Sequence, residues 1–411
     1  MAVITDQLPE KYHKAMLGWQ EKHFKDFPYL LEHWQEFYKQ SPFQLVAKLG
    51  DLKSELIEVG AHAGKPKFRR ASDMDEEMRA QILKIIRAQA STELGSIQQH
   101  RESLPKAQDP KIQFDVLRVM AEEFRHGYQM IYLLAKDDWG GTRDVAADTI
   151  DELLSMETGS HVLEAFNVYF DSFVDNIVFA ALIDRVGKYQ LTMQSVSAYA
   201  PMARSMGPML VEESFHLATG VNPLRRWVAE ATAGRGNVSV PNIQRHINKW
   251  LPRGLEMFGD ERGGRTNLEF GFKDMLNKEA QERYYREVKE QVIDVLNYEI
   301  LKERLPKVSK AEAIRLADEI LSTGESKRGI KPEDLIYLPA MSFYRRRGIH
   351  AFEMNDVHGR PIQSYDEYVR HLRTVLPEAY VTGRDFSAYL ENLRRHQGGE
   401  VVDEGPLPFY G

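Results

Sequence analysis

The sequence predicts an all-α core: a four-helix bundle with one long connection, preceded by a helical extension and followed by a helix-rich C-terminal region with short strands and loops. Three observations predict it. Apolar residues recur at intervals of three and four through residues 76–222, the period of a packed helix. Breakers fall at two short links and one longer one, the spacing of two hairpins joined by a crossover. Two of the resulting helices carry a Glu three residues before a His, in EEFRHG (122–127) and VEESFHLATG (211–220).

Residues 1–75 read as the N-terminal helical extension, with aromatic-rich pieces such as MLGWQEKHFKDFPYLLEHWQEFYKQ (16–40). The linker AGKPKFRRASD (63–73) ends at a helix start, where Asp73 or Asp75 caps and Glu76 and Glu77 fill the first turn. The bundle spans 76–222, with helices expected at about 76–103, 111–136, 160–192 and 202–219. PKAQDP (105–110) joins the first pair and AYAP (198–201) the second. Residues 137–159, with Gly140, Gly141 and Gly159, form the crossover. From Pro223 to the end at 411 the texture changes: polar helices to about 320, a Gly/Arg loop at GDERGGRTN (259–267), strand-like pieces within GIHAFEMNDVHGRPIQ (348–363), a helix near 364–375 and an irregular tail, EGPLPFYG.

Bulk composition excludes several classes. A chain of 411 residues with 43% apolar content buries a large core. A net charge of −7 does not suit a nucleic-acid binder. No apolar run approaches the ~18–20 residues of a membrane span, and the N-terminus lacks the basic start and apolar middle of a signal peptide. With no cysteine, there are no disulfides, thiolate zinc sites or Cys-ligated clusters, and a metal must be held by His, Asp and Glu. A cytoplasmic protein is expected.

Glu and His three apart share a helix face and can reach one ion. Composition alone yields roughly one such match by chance, and Glu10 with His13 is read as that accident. Geometry separates the other two. In an antiparallel hairpin, residues equidistant from the turn are level. Glu93 and Glu123 are centred on residue 108, inside PKAQDP, each ~22 Å of helix from the turn. Asp184 and Glu213 are centred between 198 and 199, at AYAP. Asp171 and Asp175 compete with Asp184, but their midpoints with Glu213 meet no breaker. The predicted set is therefore Glu93, Glu123, His126, Asp184, Glu213 and His216: one acid from each of two helices and ExxH from each of the other two, as in ferritin-like di-iron carboxylate bundles. Four anionic ligands balance two divalent ions, and imidazole with carboxylate favours iron or manganese over calcium. Gln89, one turn before Glu93, faces the same way and could steady a ligand or a substrate carbonyl. Tyr128 and Glu122 are neighbours of the set.

With these residues placed, the chain resembles the oxygenase components of benzoyl-CoA 2,3-epoxidases, relatives of the phenylacetyl-CoA epoxidase catalytic subunits. The resemblance rests on STE (91–93), EEFRH (122–126), IDRVGKYQL (183–191), PMARSMGPMLVEESFHL (201–217) and FYRRRGIHAFEMNDVHGRPI (343–362). It covers about 80–220 and 335–365. It implies a di-iron mono-oxygenase that uses O₂ to epoxidise the ring of an aryl acyl-CoA thioester, benzoyl-CoA first, in aerobic aromatic degradation. The same six residues would be the metal ligands. Lacking cysteine and a dinucleotide fingerprint, the chain would draw electrons from a separate reductase carrying FAD and iron–sulfur groups and using NADPH. Among several basic clusters, including Arg225 with Arg226, Arg345, Arg346 and Arg347 are the first candidates for the CoA phosphates because they lie in a shared segment. The alternatives are another ferritin-like di-iron oxidase (a phenylacetyl-CoA epoxidase type, a desaturase or an amine oxygenase) or a non-catalytic metal-binding subunit.

Overall fold

The computed structural model describes residues 3–140, 144–259, 261–400 and 402. The N-terminal extension is part strand: β1 (Ile4–Asp6) pairs antiparallel with β2 (Ala47–Leu49), enclosing α1 (Glu10–His23), α2 (Phe27–Glu32) and α3 (Trp34–Phe37). The bundle follows. α4 (Glu76–Ser103) starts where Asp75 accepts the Met78 N–H at 2.8 Å, and α5 (Pro110–Ala135) starts where Asp109 accepts that of Lys111 at 2.8 Å. Pro110 sits in the first turn, where a missing N–H is harmless. The crossover contains a helix of its own, α6 (Val145–Ser155). The second hairpin is α7 (Phe173–Gln194) and α8 (Ala200–Thr232).

α4 packs on α5, α7 on α8, and α5 crosses to α8. Every residue of α7 from Phe173 through Val186 is buried, as is every residue of α5 from Val119 through Leu134. Helices buried all round need cover on their outer faces. α2 and β2 cover α5, while α9 (Val240–Glu256) and α11 (Asn277–Val288) cover α7. After α10 (Glu261–Glu269), α11 continues through a π turn at Lys289–Ile293 into α12 (Asp294–Arg304), which packs on α8; α13 (Lys310–Thr323), α14 (Tyr365–Val375) and α15 (Arg384–Gln397) complete the C-terminal region.

Four expectations need correction. The third bundle helix begins at Phe173, not near 160. Residues 160–172 are instead held in irregular form by side chains from elsewhere: the Gln99 amide donates to the carbonyls of Ala165 (2.8 Å) and Val168 (2.6 Å). The helix starts at a capping box of Ser172 and Asp175. The fourth helix runs through Pro223 to Thr232, because Leu224 and Val228 are fully buried and their packing outweighs the proline penalty. GDERGGRTN is mostly helix (α10), with Gly264 close against Asn277. The strand-like pieces of 348–363 form turns and an isolated Asn355–Pro361 bridge; among the described residues the one sheet is N-terminal. The predicted tail, EGPLPFYG, lies outside the described residues.

Candidate metal centre

The four bundle helices bring all six predicted side chains to one buried point. Glu93, Glu123, Asp184 and Glu213 are 4–6% exposed, and His126 and His216 are fully buried. Ligand-capable atoms of Glu93, Glu123 and His126 lie within 4.8 Å of one another, as do those of Glu123, Asp184 and His216. Glu123 therefore belongs to both groups. Glu213 also lies between the histidines, 3.8 Å from His126 Nδ1 and 3.5 Å from His216 Nδ1. Two close backbone approaches make this possible. A Cβ on Gly220 would fall 2.2 Å from the Ala181 nitrogen, so only glycine lets α7 and α8 meet one turn from Asp184 and His216. A Cβ on Gly127 would meet Leu94 at 3.1 Å, so α5 also sits tight against α4 beside Glu93.

The histidines are oriented crosswise. His126 on α5 donates its Nε2–H to Glu212 on α8 at 3.0 Å, and His216 on α8 donates to Glu122 on α5 at 3.1 Å. Each bond fixes the ring orientation and turns Nδ1 toward the carboxylates. These outer acids have cations of their own: Arg118 for Glu122 at 2.9 Å, and Arg125 with Lys48 for Glu212. The sequence reading singled out neither pairing. The signal was there in the doublets, since both ExxH motifs are EExxH.

The inner four carboxylates differ. Among the described residues no Lys or Arg pairs with them; their charged neighbours are His126 and His216. Burial, then the Glu123 anion, pushes the Glu93 carboxyl well above the usual carboxylate range. The same two causes raise Asp184. Burial would lower both histidines, but Glu123 and Glu212 around His126, and Glu213 and Glu122 around His216, outweigh it and hold both well above the usual imidazole value. His126 Nδ1, His216 Nδ1, Asp184 Oδ2 and Glu213 Oε2 are buried without a hydrogen-bond partner. Buried polar atoms without partners and crowded acids are costly in a protein interior. Two divalent cations among them would remove both problems, so the donor set fits a metal pair.

All four carboxylates face a small cavity of about 30 Å³, also lined by Gln89, Thr92, Ser96, Leu163, Phe166, Ile183, Gly187, Gln190 and Met257. The histidines sit on the far side of the cluster. Gln89 donates its amide to Glu93. Tyr128 faces away, its hydroxyl bonded to the Leu8 N–H and to His13 Nδ1, both at 2.9 Å. Asp175, the competitor of Asp184, is bonded to Lys249 (2.7 Å) and Trp250 (2.9 Å) instead. Arg345, Arg346 and Arg347 do not form an open basic surface. They are 4–8% exposed. Arg346 is held by Asp385 (2.7 Å) and Glu164 (3.0 Å). Arg345 bonds the Met341 carbonyl, and Arg347 approaches Glu164. Arg225 and Arg226 pair with Glu299 and Asp109. No described helix is long and apolar enough to cross a membrane.

Comparison with known proteins agrees with the motif resemblance. The benzoyl-CoA oxygenase component B of Aromatoleum evansii is 25% identical over 379 residues, which cover 85% of this chain and 76% of that protein. The profile of the phenylacetic acid catabolic proteins matches residues 62–302, which takes in the whole bundle and every residue of the buried cluster. The chain therefore belongs to the phenylacetic acid catabolic protein family.

Proposed function

We propose that the chain is the oxygenase component of a di-iron mono-oxygenase that epoxidises the ring of an aryl acyl-CoA thioester. The observation that carries this is the cluster itself: four buried carboxylates, two of them shared between two oriented histidines, with no Lys or Arg paired to them among the described residues. Glu93 and His126 would hold one ion, Asp184 and His216 the other, and Glu123 and Glu213 would serve both. Iron supplies O₂ activation, which no protein side chain can. The net reaction adds one oxygen atom across a ring C=C bond and turns the other to water, consuming two electrons and two protons.

The protein's own part is positioning and exclusion of water. Glu212 and Glu122 keep both imidazoles aimed, and Gln89 keeps one oxygen of Glu93 engaged. The carboxylate side faces the small cavity, whose apolar wall of Leu163, Phe166, Ile183 and Met257 shields the centre from water. The word "component" in the relative's name supports a separate electron donor. A cytoplasmic setting and an aryl-CoA substrate belong to this same reading.

The test is a single turnover. Protein loaded with ferrous iron and chemically reduced is given O₂ with benzoyl-CoA, phenylacetyl-CoA or aliphatic acyl-CoAs, beside an Asp184→Ala, Glu213→Ala control. The expected product is an oxygenated aryl thioester that is absent in the control. Bound iron without any oxygenated thioester would redirect the assignment to another di-iron oxidase.

A further inference from the structure

Three of the four bundle helices are covered on every side where they carry the centre. Ala88 through His100 of α4, Val119 through Leu134 of α5 and Phe173 through Val186 of α7 are all buried. α8 is not. Its residues Gly207, Val211, Ser214 and Asn222 are exposed, Val211 to 75%, and they share one helical face. Glu213 and His216 leave the same turns toward the interior. From Ser205 to Leu224 the only charged or imidazole side chains are Glu212, Glu213 and His216, all three engaged at the centre. The open strip is therefore uncharged, with Leu210, Phe215, Leu217 and Val221 half-buried along it. A solvated helix face ordinarily carries charge, and an exposed face without it is the composition of a protein interface.

The strip is connected to both histidines. Glu212 bonds half-buried Lys48 at 2.9 Å on its outer side and the His126 imidazole at 3.0 Å on its inner side. Along the strip, the Phe215 ring lies 3.8 Å from the Arg118 guanidinium; Arg118 pairs with Glu122, which accepts from His216 at 3.1 Å. The wall between solvent and centre is here one helix, ~10–12 Å across with its side chains. An open groove of about 820 Å³ flanks the strip, between Leu217, Ala218 and Val221 of α8 and four cations: Arg185, Lys188, Arg283 and Arg286. Its acids are Glu287 and Glu290. Arg185 and Lys188 share Glu287, and Arg286 has no ion-pair partner among the described residues. This surplus of positive charge runs against the sign of the whole chain, which carries −7. Glu290 and Gln291 reach the groove from the π turn at Lys289–Ile293, a feature frequent at functional sites.

We propose that the open face of α8 is the docking surface of the electron donor: a redox protein whose flavin or iron–sulfur group sits within an acidic surface. This rests on the di-iron reading above. That reaction consumes two electrons, and the chain has no cysteine to ligate a cluster of its own. A partner must bring them. The donor loses two electrons and two ferric ions become ferrous, one electron each. The donor has to come close, and α8 is the thinnest cover the centre has. The uncharged strip forms the centre of the contact and the cationic groove its rim, which attracts an acidic partner and sets its orientation.

The test has a binding arm and a reduction arm. The probe is an NADPH-dependent flavin and iron–sulfur reductase that reduces the wild-type iron centre. Its affinity for the metal-free full chain is measured by calorimetry at low and high salt. Its rate of reducing the iron-loaded chain is compared with that of dithionite and a viologen mediator. The variants, matched for Tm and iron content, are Val211→Glu and Arg286→Glu. Ile349→Glu is the control, since Ile349 is also apolar and is 89% exposed in another part of the chain. Val211→Glu should weaken reductase binding roughly tenfold or more, with a smaller loss in Arg286→Glu and none in Ile349→Glu. Reductase-driven reduction should slow in the same order while mediator reduction stays unchanged, and wild-type binding should weaken as salt rises. Unchanged reductase binding in Val211→Glu would overturn the proposal. So would a wild-type dimer that Val211→Glu turns into monomers, since the strip would then be covered by a second copy. A loaded chain that holds no iron for the mediator to reduce fails the di-iron reading itself, and this proposal with it.

Discussion

Two buried clusters of charge lie on opposite sides of α7, and they are built on different rules. At its start, Asp175 is fully buried, yet its carboxylate receives Lys249, the Trp250 indole and the backbone N–H groups of Asp171 and Ser172. Further along, Asp184 is buried beside three other carboxylates, with one oxygen unpartnered and, among the described residues, no Lys or Arg paired to it. The Lys249 ammonium and neighbouring His246 overcome the effect of burial and hold Asp175 far below the usual range; burial and Glu123 drive Asp184 the other way. The first cluster is complete as protein. The second keeps unpartnered polar atoms among four gathered acids, an arrangement that fits a metal pair rather than a structural ion pair.

The largest expected effect tests the closed cluster. Asp175→Asn takes from buried Lys249 its closer counter-ion, leaving Asp171 at 3.2 Å, and should destabilise the fold by about 3 kcal/mol, read by denaturant unfolding, whether or not metal is bound. Asp184→Asn should behave oppositely in metal-free protein, raising Tm by removing a carboxyl that burial and Glu123 force to take up a proton on folding, while lowering the metal content of loaded protein. Equal losses from both substitutions would erase the distinction. Next, Gly220→Ala forces α7 from α8 beside the centre. It should cost about 1–3 kcal/mol or more by overpacking and reduce bound metal; a neutral result would show that the close approach is dispensable. Glu122→Gln, whose partner Arg118 reaches solvent, should weaken metal binding by about 10- to 100-fold without unfolding the protein, seen by competition with a chelator.

The smallest effect is a pH slope. Burial pushes the Glu102 carboxyl up to about 7, with the Phe170 N–H opposing. The folded state then binds more protons than the unfolded chain between the ordinary Glu value, ~4.3, and about 7. Stability should fall as pH rises through that window, and Glu102→Gln should flatten the fall. An unchanged slope in the variant would assign it elsewhere.

The sequence makes the bundle and the convergence of the six side chains legible because both follow from local periodicity. Helical spacing puts each Glu and His on one face, and hairpin symmetry puts Glu93 level with Glu123 and Asp184 level with Glu213. What it hides is set by distant partners. Residues 160–172 look helical until Gln99 takes their carbonyls. Pro223 looks like a stop until Leu224 and Val228 are seen in the core. Arg345–Arg347 look like a phosphate surface until Glu164 and Asp385 arrive from far along the chain. The crosswise bonds of Glu122 and Glu212 are intermediate: the EExxH doublets announce them, but only packing shows that each acid serves the other helix's histidine.

The most direct test is the number of metal ions the cluster holds. Metal-free full-length chain would be titrated anaerobically with ferrous iron, with bound iron counted per chain and Tm followed in parallel. The account predicts two ions per chain, a Tm that rises as they bind, and fewer than two in Asp184→Ala. A chain that binds no iron, or whose binding is indifferent to Asp184, would contradict it.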